Sequence, residues 1–190
     1  MTPVGISGAW LRRARVFSDT RGSFHEWFQG AEIRAVAGHD FGLRQANCVV
    51  SRRGALRGVH YTATPPGQAK YFTCLSGAML AAVVDIRVGS PTFGQSRTVE
   101  LDAGQHTGLY VSEGLGQAFL ALTDDTVLIY LCSRQFDPGV EHAINPLDPQ
   151  LGIAWPGDVV PDLSEKDSAA PTLAEAQRLG LLPTYTEPTT

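Results

Sequence analysis

The chain has 190 residues, 43% of them hydrophobic and 18% charged, with a formal net charge of -4. A chain of this length buries roughly 70% of its unfolded surface, so it needs no disulfide staple. Fifteen basic against nineteen acidic residues do not make a nucleic-acid-binding surface, and the longest apolar run, Ala78 to Val84, has the length of a core strand rather than a membrane span. The opening MTPVGISGAW lacks the basic region and apolar core of a signal peptide, which predicts an intracellular, cytoplasmic location.

Apolar runs then recur about every ten residues between Gly, Pro and Asp, the spacing of an all-β sandwich or barrel. In chain order the predicted elements begin with a strand at Trp10 to Phe17 and a short helix at Gly30 to Ala37. Strands follow at Leu43 to Ser51, Leu56 to Tyr61, Ala69 to Ser76, Ala78 to Ile86, Arg97 to Leu101, Thr107 to Val111, Gln117 to Ala121 and Thr126 to Cys132. Arg53-Gly54, Pro65-Pro66-Gly67, Gly89-Ser90-Pro91, Ala103-Gly104 and Asp124-Asp125 supply turn chemistry between them. A last helix is expected at Leu173 to Leu179, started by Pro171-Thr172 and stopped by Gly180. With no repeat or linker, one domain is expected over residues 1 to 182 and a frayed tail over 183 to 190. Either a double-sheet jelly roll or a Greek-key sandwich accommodates these strands.

Residues 1 to 60 carry nine arginines against four acids, and residues 61 to 190 carry six bases against fifteen acids, so positive charge concentrates upstream. Thirteen of the fifteen bases are Arg, whose planar fork suits phosphate. Cys48, Cys74 and Cys132 show no C-x-x-C spacing and fall in apolar strands, where buried thiols are expected.

Among five histidines, His60 alone sits in a tight strand context, Arg57-Gly58-Val59-His60-Tyr61, and is either a core histidine or a base. Alternation puts Gly58 and His60 on one face and Arg57 on the other unless a bulge intervenes. His25, His39, His106 and His142 read as surface residues. Lys70, one of two lysines, is either a solvated strand-edge residue or a buried cation, and Tyr130 is either core or a phenolic acid facing a cavity. Local sequence around Asp167 favours a turn cap over a histidine partner. A mid-chain histidine in a jelly roll invites comparison with metal-binding cupins. No second histidine follows His60 closely, however, and Gln117 stands where a later ligand is needed, so no metal is expected.

Seven blocks in order, spanning nearly the whole chain, resemble the dTDP-4-dehydrorhamnose 3,5-epimerase family of deoxysugar biosynthesis. They are Asp19-Thr20-Arg21-Gly22-Ser23-Phe24-His25-Glu26, Arg44-Gln45-Ala46-Asn47, Leu56-Arg57-Gly58-Val59-His60-Tyr61, Pro66-Gly67-Gln68-Ala69-Lys70, Val84 to Gly94, Asp148-Pro149 with Ile153-Ala154-Trp155-Pro156, and Leu163-Ser164-Glu165-Lys166-Asp167. The resemblance implies a cupin-type double-stranded jelly roll, a homodimer that exchanges strands, and no metal or organic cofactor. It implies His60 as catalytic base, Asp167 as its orienting carboxylate, Lys70 as the cation beside a keto oxygen and Tyr130 as the acid on the opposite face. Arg21, Phe24, Glu26, Gln45, Asn47 and Arg57 match positions lining the nucleotide and sugar site, and Phe136 stands where a tyrosine is common.

One position departs from the pattern. Family members usually carry histidine where Glu113-Gly114-Leu115-Gly116-Gln117-Ala118-Phe119 has Gln117, and glutamine donates a hydrogen bond but does not titrate. The expected activity is therefore inversion of C3, C5 or both of a dTDP-4-keto-6-deoxyhexose through an enolate. A silent sugar-nucleotide-binding protein and a keto-sugar isomerase of the same fold are the alternatives.

Overall fold

The computed structural model describes residues 1–186, which form fourteen strands, three α-helices and two single 3₁₀ turns. The amino-terminal elements are β1 (Thr2–Pro3), β2 (Ala9–Arg13), β3 (Val16–Asp19), β4 (Gly22–His25) and α1 (Gly30–Ala37). The body follows as β5 (Gln45–Ser51), β6 (Ala55–Thr62), β7 (Lys70–Ser76), β8 (Ala78–Asp85), β9 (Ser96–Asp102), β10 (Thr107–Val111), β11 (Leu115–Ala121) and β12 (Thr126–Cys132). The carboxyl-terminal part adds β13 (Glu141–Ala143), β14 (Asp162–Leu163), α2 (Glu165–Ser168) and α3 (Leu173–Arg178).

Two antiparallel sheets face each other. The first has the order β1-β2-β10-β7-β12-β5, and the second β13-β6-β11-β8-β9, with β14 joining β6 in parallel. Between them Phe72, Leu109, Val111 and Leu128 of the first sheet meet Met79, Ala81, Val83, Leu101 and Phe119 of the second. This is the all-β, cupin-type double-stranded jelly roll that the resemblance implies.

The outer faces are covered as well. Ile33 of α1 and Phe41 pack with Tyr71, Tyr110 and Leu131 outside the first sheet. Ile144, Leu151, Val159, Leu173 and Ala176 cover Val59, Ala82, Val84, Ala118 and Leu120 outside the second. A strand covered on both sides has no polar face, which is why Ala78 to Val84 is continuously apolar. The edge strand β5 alternates instead, with half-buried and exposed residues taking turns. Cys48 falls on its exposed phase, so only Cys74 and Cys132 are buried as expected.

The expected strand from Trp10 to Phe17 is two strands. β2 ends at Arg13, and β3 folds back on β4 as a separate two-stranded hairpin, with Val16 opposite His25 and Asp19 opposite Gly22. Phe17 and Phe24 are apolar yet exposed on this hairpin. The helix expected near the carboxyl end is α3. Thr172 caps it by accepting from the Glu175 N–H, and Glu175 returns a bond to the Thr172 backbone. Residues 183 to 185 of the expected frayed tail are held. Val88 N–H donates to Pro183 O at 2.8 Å, Tyr185 N–H donates to Val88 O at 2.9 Å, and Arg87 stacks on the Tyr185 ring. Residues 187 to 190 lie outside the described residues.

Candidate active site

A cavity of about 600 Å³ opens between the sheets at the end where β5, β6, β7, β11 and β12 come together. From the first sheet Lys70, Phe72, Leu128 and Tyr130 face it, and from the second Arg57, His60, Gln117 and Phe119. Lys166 and Asp167 of α2 close one side.

Strict alternation would separate Arg57 from His60, and a bulge in β6 brings them together. His60 stands opposite Gln117 and Arg57 opposite Phe119, so β6 spends one more residue than β11 over the same interval. Gly58 sits inside this interval with φ +112°, where a Cβ would fall 2.5 Å from Gln117 O and 2.8 Å from Ala118 Cα. Only glycine fits that left-handed backbone and close approach.

The bulge also frees the Gly58 N–H to point at Asp167, which it meets at Oδ2 across 3.4 Å. Oδ1 of the same carboxylate lies 2.7 Å from His60 Nε2. Asp167 reaches this position through α2, a single turn whose N-cap is Ser164, the Ser164 hydroxyl accepting from Asp167 N–H at 3.1 Å. The local expectation that Asp167 caps a turn is thus corrected: Ser164 caps, and Asp167 meets the histidine. The carboxylate is buried, which opposes ionisation, yet the His60 hydrogen bond and charge, the Gly58 N–H and the Ser164 hydroxyl together hold it below the usual carboxylate range. An ionised carboxylate only accepts, so the His60 Nε2–H donates to it, and in the neutral imidazole Nδ1 is then the acceptor nitrogen.

Lys70 is buried on β7, in the middle of the first sheet, rather than solvated at an edge. Its Nζ lies 3.6 Å from Glu141 Oε1. Tyr130 is half-buried, with its ring 5.3 Å from that of Phe72 at the edge of the core, and it also lines the cavity. Burial, reinforced by Cys132 and Glu141 and opposed by Arg57, pushes its phenol above the ordinary value, so the hydroxyl keeps its proton at neutral pH. Of the other histidines His39 is exposed, while His25, His106 and His142 are half-buried, the tilted rings of His25 and His106 lying 4.3 Å apart and that of His142 5.5 Å from Tyr61.

Six of the anticipated residues, His60, Lys70, Tyr130, Asp167, Arg57 and Gln117, therefore meet at one cavity. The others do not line it. Arg21 pairs with Asp19 on the exposed hairpin, Phe24 is 64% exposed there, and Glu26 accepts from Gln29. Gln45 bridges the Phe136 N–H and the Asn47 side chain, Asn47 donates to Cys132 Sγ, and the Phe136 ring is exposed. Sequence reasoning missed Lys166 at the rim and Glu141 behind Lys70. Lys166 was visible as the neighbour of Asp167 in the last block, whereas a three-residue strand gives Glu141 no periodic signal. Among the described residues, no three or more His, Cys, Asp and Glu side chains gather as a metal site would require.

The Asp167 contacts set a pH dependence. A carboxyl held low in the fold contributes stability that is complete above its unfolded value of about 3.9 and is lost as pH falls through the lower folded value. Asp167→Asn is expected to cost about 1–3 kcal/mol in urea unfolding at neutral pH. The gap to the unsubstituted protein should hold down to about pH 5 and narrow below about pH 4. A gap that widens on acidification would contradict this.

The family model for dTDP-4-dehydrorhamnose 3,5-epimerase matches residues 3–175. A dTDP-4-dehydro-6-deoxyglucose 3-epimerase of Streptomyces bikiniensis is 58% identical over 97% of this chain and 94% of its own. A dTDP-4-dehydrorhamnose 3,5-epimerase of Streptomyces griseus is 54% identical over 98% of this chain and 93% of its own. Among solved structures, the H60N/Y130F double mutant of ChmJ, a 3'-monoepimerase from Streptomyces bikiniensis in complex with dTDP, superposes with a TM-score of 0.94 at 57% identity, covering 97% of this chain and 93% of that one. With a jelly roll of the same shape and a family match over most of its length, this chain belongs to the dTDP-4-dehydrorhamnose 3,5-epimerase family.

Proposed function

We propose that the chain is a cofactor-independent epimerase that inverts C3, C5 or both of a dTDP-4-keto-6-deoxyhexose. One observation carries this reading: His60 on the second sheet, paired with Asp167 of α2, and the protonated Tyr130 on the first sheet open onto the same cavity from opposite walls. A 4-keto group acidifies the hydrogens on C3 and C5. His60 Nδ1 removes one of them, and the C–H electron pair moves into the ring as the C4 carbonyl becomes an enolate. Lys70 offers a positive charge to the enolate oxygen. Tyr130 then delivers its phenolic proton to the other face of the carbanionic carbon, which inverts it, and solvent returns a proton to Tyr130 and takes one from His60.

Three of the residues left outside the cavity, Arg21, Phe24 and Glu26, fit a homodimer. The β3–β4 hairpin pairs with no other strand of its own chain among the described residues and exposes Val16, Phe17 and Phe24. Its occupant in this reading is a second copy of the chain. The hairpin brings Arg21, Phe24 and Glu26 to the partner's cavity, and Arg57 and Lys166 meet the diphosphate from within. This agrees with the concentration of arginines upstream, and with the dTDP held by the S. bikiniensis relative.

His60→Ala is expected to abolish solvent deuterium uptake by the sugar while dTDP binding changes by less than about tenfold, since the imidazole meets the sugar and not the phosphates. Calorimetry with dTDP and proton NMR in deuterium oxide check the two parts. Exchange that persists in the variant would remove His60 as the base. Uptake absent from the unsubstituted chain, with dTDP still bound, would favour the silent binder.

Gln117 bears on which carbon turns over. It lies directly across from His60, is 5% exposed, and its side chain makes no hydrogen bond among the described residues, which leaves its amide to a ligand. A neutral amide stabilises a developing oxyanion less than an imidazolium does, by about 1–3 kcal/mol. The two steps present the sugar differently, so they need not lose equally. Deuterium is expected to enter C3 faster than C5, and Gln117→His to narrow the gap. Equal labelling of both positions in the unsubstituted protein would show that Gln117 confers no selectivity.

A further inference from the structure

The strands of the β3–β4 hairpin pair only with each other among the described residues, so its direction is set where it leaves the first sheet. The incoming strand is held at Ala14, whose N–H donates to His106 O at 3.0 Å. The outgoing strand is held by two buried side chains of the first sheet. Arg12 Nη1 donates to Glu26 O at 2.6 Å and the Tyr71 hydroxyl to Trp27 O at 2.7 Å, so consecutive carbonyls are gripped just after β4 ends. Arg12 Nη2 meets Glu32 Oε1 at 2.9 Å, which ties α1 to the same anchor.

Arg12 is 5% exposed and shares the outer phase of β2 with Trp10, in a layer built of Tyr71, Tyr110, Ile33 and Phe41. Its Nε is buried without a partner. Packing alone would favour an apolar residue there, so what the arginine adds is its grip on Glu26 and Glu32. Gly108, the ladder partner of Arg12 on β10, makes room for the second grip, because a Cβ there would overlap the Tyr71 hydroxyl. Burial pushes the Tyr71 phenol up to about 12, so it keeps the proton that it donates. Carbonyls held on both sides of the Trp27 Cα fix two peptide planes, and the short ladder of the hairpin follows them. With about 3.3 Å per residue its tip stands about 13 Å from Glu26, where a tilt of about 10° moves Arg21 by about 2 Å, enough to break a hydrogen bond.

Resting on the homodimer reading above, we propose that Arg12, together with Tyr71, is a positioning residue that acts in trans: it aims the hairpin whose Arg21, Phe24 and Glu26 serve the cavity of the partner subunit. Arg12 itself touches no substrate. The hairpin meets the nucleotide and not the reacting carbons, so the effect falls on binding and leaves the chemical step to His60 and Tyr130. Each cavity depends on the Arg12 of the other protomer.

The test combines Arg12→Met homodimers with mixed dimers that hold a single working base. In the Arg12→Met homodimer KM and the Kd for dTDP are expected to rise about tenfold, with kcat within about twofold. A dimer of an Arg12→Met chain with a His60→Ala chain has its one intact base in a cavity served by an unsubstituted hairpin, and its KM should equal that of the unsubstituted protein. A dimer of an unsubstituted chain with an Arg12→Met/His60→Ala chain brings the altered hairpin to the working cavity, and its KM should rise about tenfold. The reverse order, equal rises in both mixed dimers, a loss confined to kcat, or no change in the homodimer would overturn the proposal. Should Arg12→Met fail to melt cooperatively, Tyr71→Phe in the same dimers decides by the same criterion. Absence of turnover in the unsubstituted dimer would overturn the epimerase reading and leave the dTDP affinities to decide the role of Arg12, whereas an unsubstituted chain that is monomeric in solution would overturn the homodimer reading and this proposal with it.

Discussion

The 2.7 Å contact between His60 and Asp167 places constraints on much of the rest of the chain. A buried carboxylate survives as an anion only when its oxygens are satisfied, and here an imidazole, a backbone N–H and the first turn of α2 share that task. Each comes from a separate stretch of sequence. The N–H is free because β6 bulges at Gly58, and α2 arrives there because β14, just before it, pairs with β6 in parallel through Asp162 with Ala55 and Leu163 with Leu56. The segment that crosses the outer face of the second sheet thus both buries that face and carries the carboxylate to the histidine.

The two sheets divide the chemistry between them. Beyond the pair formed by Phe72 and Phe119, which meet at 4.5 Å on the cavity wall, their facing side chains are apolar and close-packed. Toward the cavity the same strands turn polar, with Lys70 and Tyr130 on one wall and His60 and Gln117 on the other. An inversion needs a proton removed from one face and returned to the opposite one, and a sandwich with a gap between its sheets supplies two opposed walls without any moving part. The tight apolar end keeps those walls at a fixed distance.

The strands were legible because burial imposes a pattern: doubly covered β8 is continuously apolar and edge β5 alternates. Elements set by tertiary pairing were not. β13 and β14 have three and two residues, too few for any periodicity, and the break between β2 and β3 separates runs that read as one. Site residues divide in the same way. Nothing local distinguishes a buried Lys70 from a strand-edge lysine, and alternation alone assigns Arg57 to the wrong face until the bulge is known. The family blocks gathered His60, Lys70 and Asp167 because they hold residues fixed by the site rather than by the strand, and Tyr130, outside every block, followed from its position in the resemblance. Glu141, in no block and on no periodic element, was visible only once the sheets were assembled.

That opposite walls perform opposite halves of the inversion is most directly tested by Tyr130→Phe, which removes the phenolic proton and leaves the His60–Asp167 pair and the ring packing on Phe72 in place. The variant should be incubated with a dTDP-4-keto-6-deoxyhexose in deuterium oxide, and the deuterium content and configuration at C3 and C5 followed by proton NMR. Hydrogen should be exchanged for deuterium with retained configuration, since His60 still removes the proton and alone can return one. Inversion at an undiminished rate in Tyr130→Phe would contradict the assignment of base and acid to the two sheets.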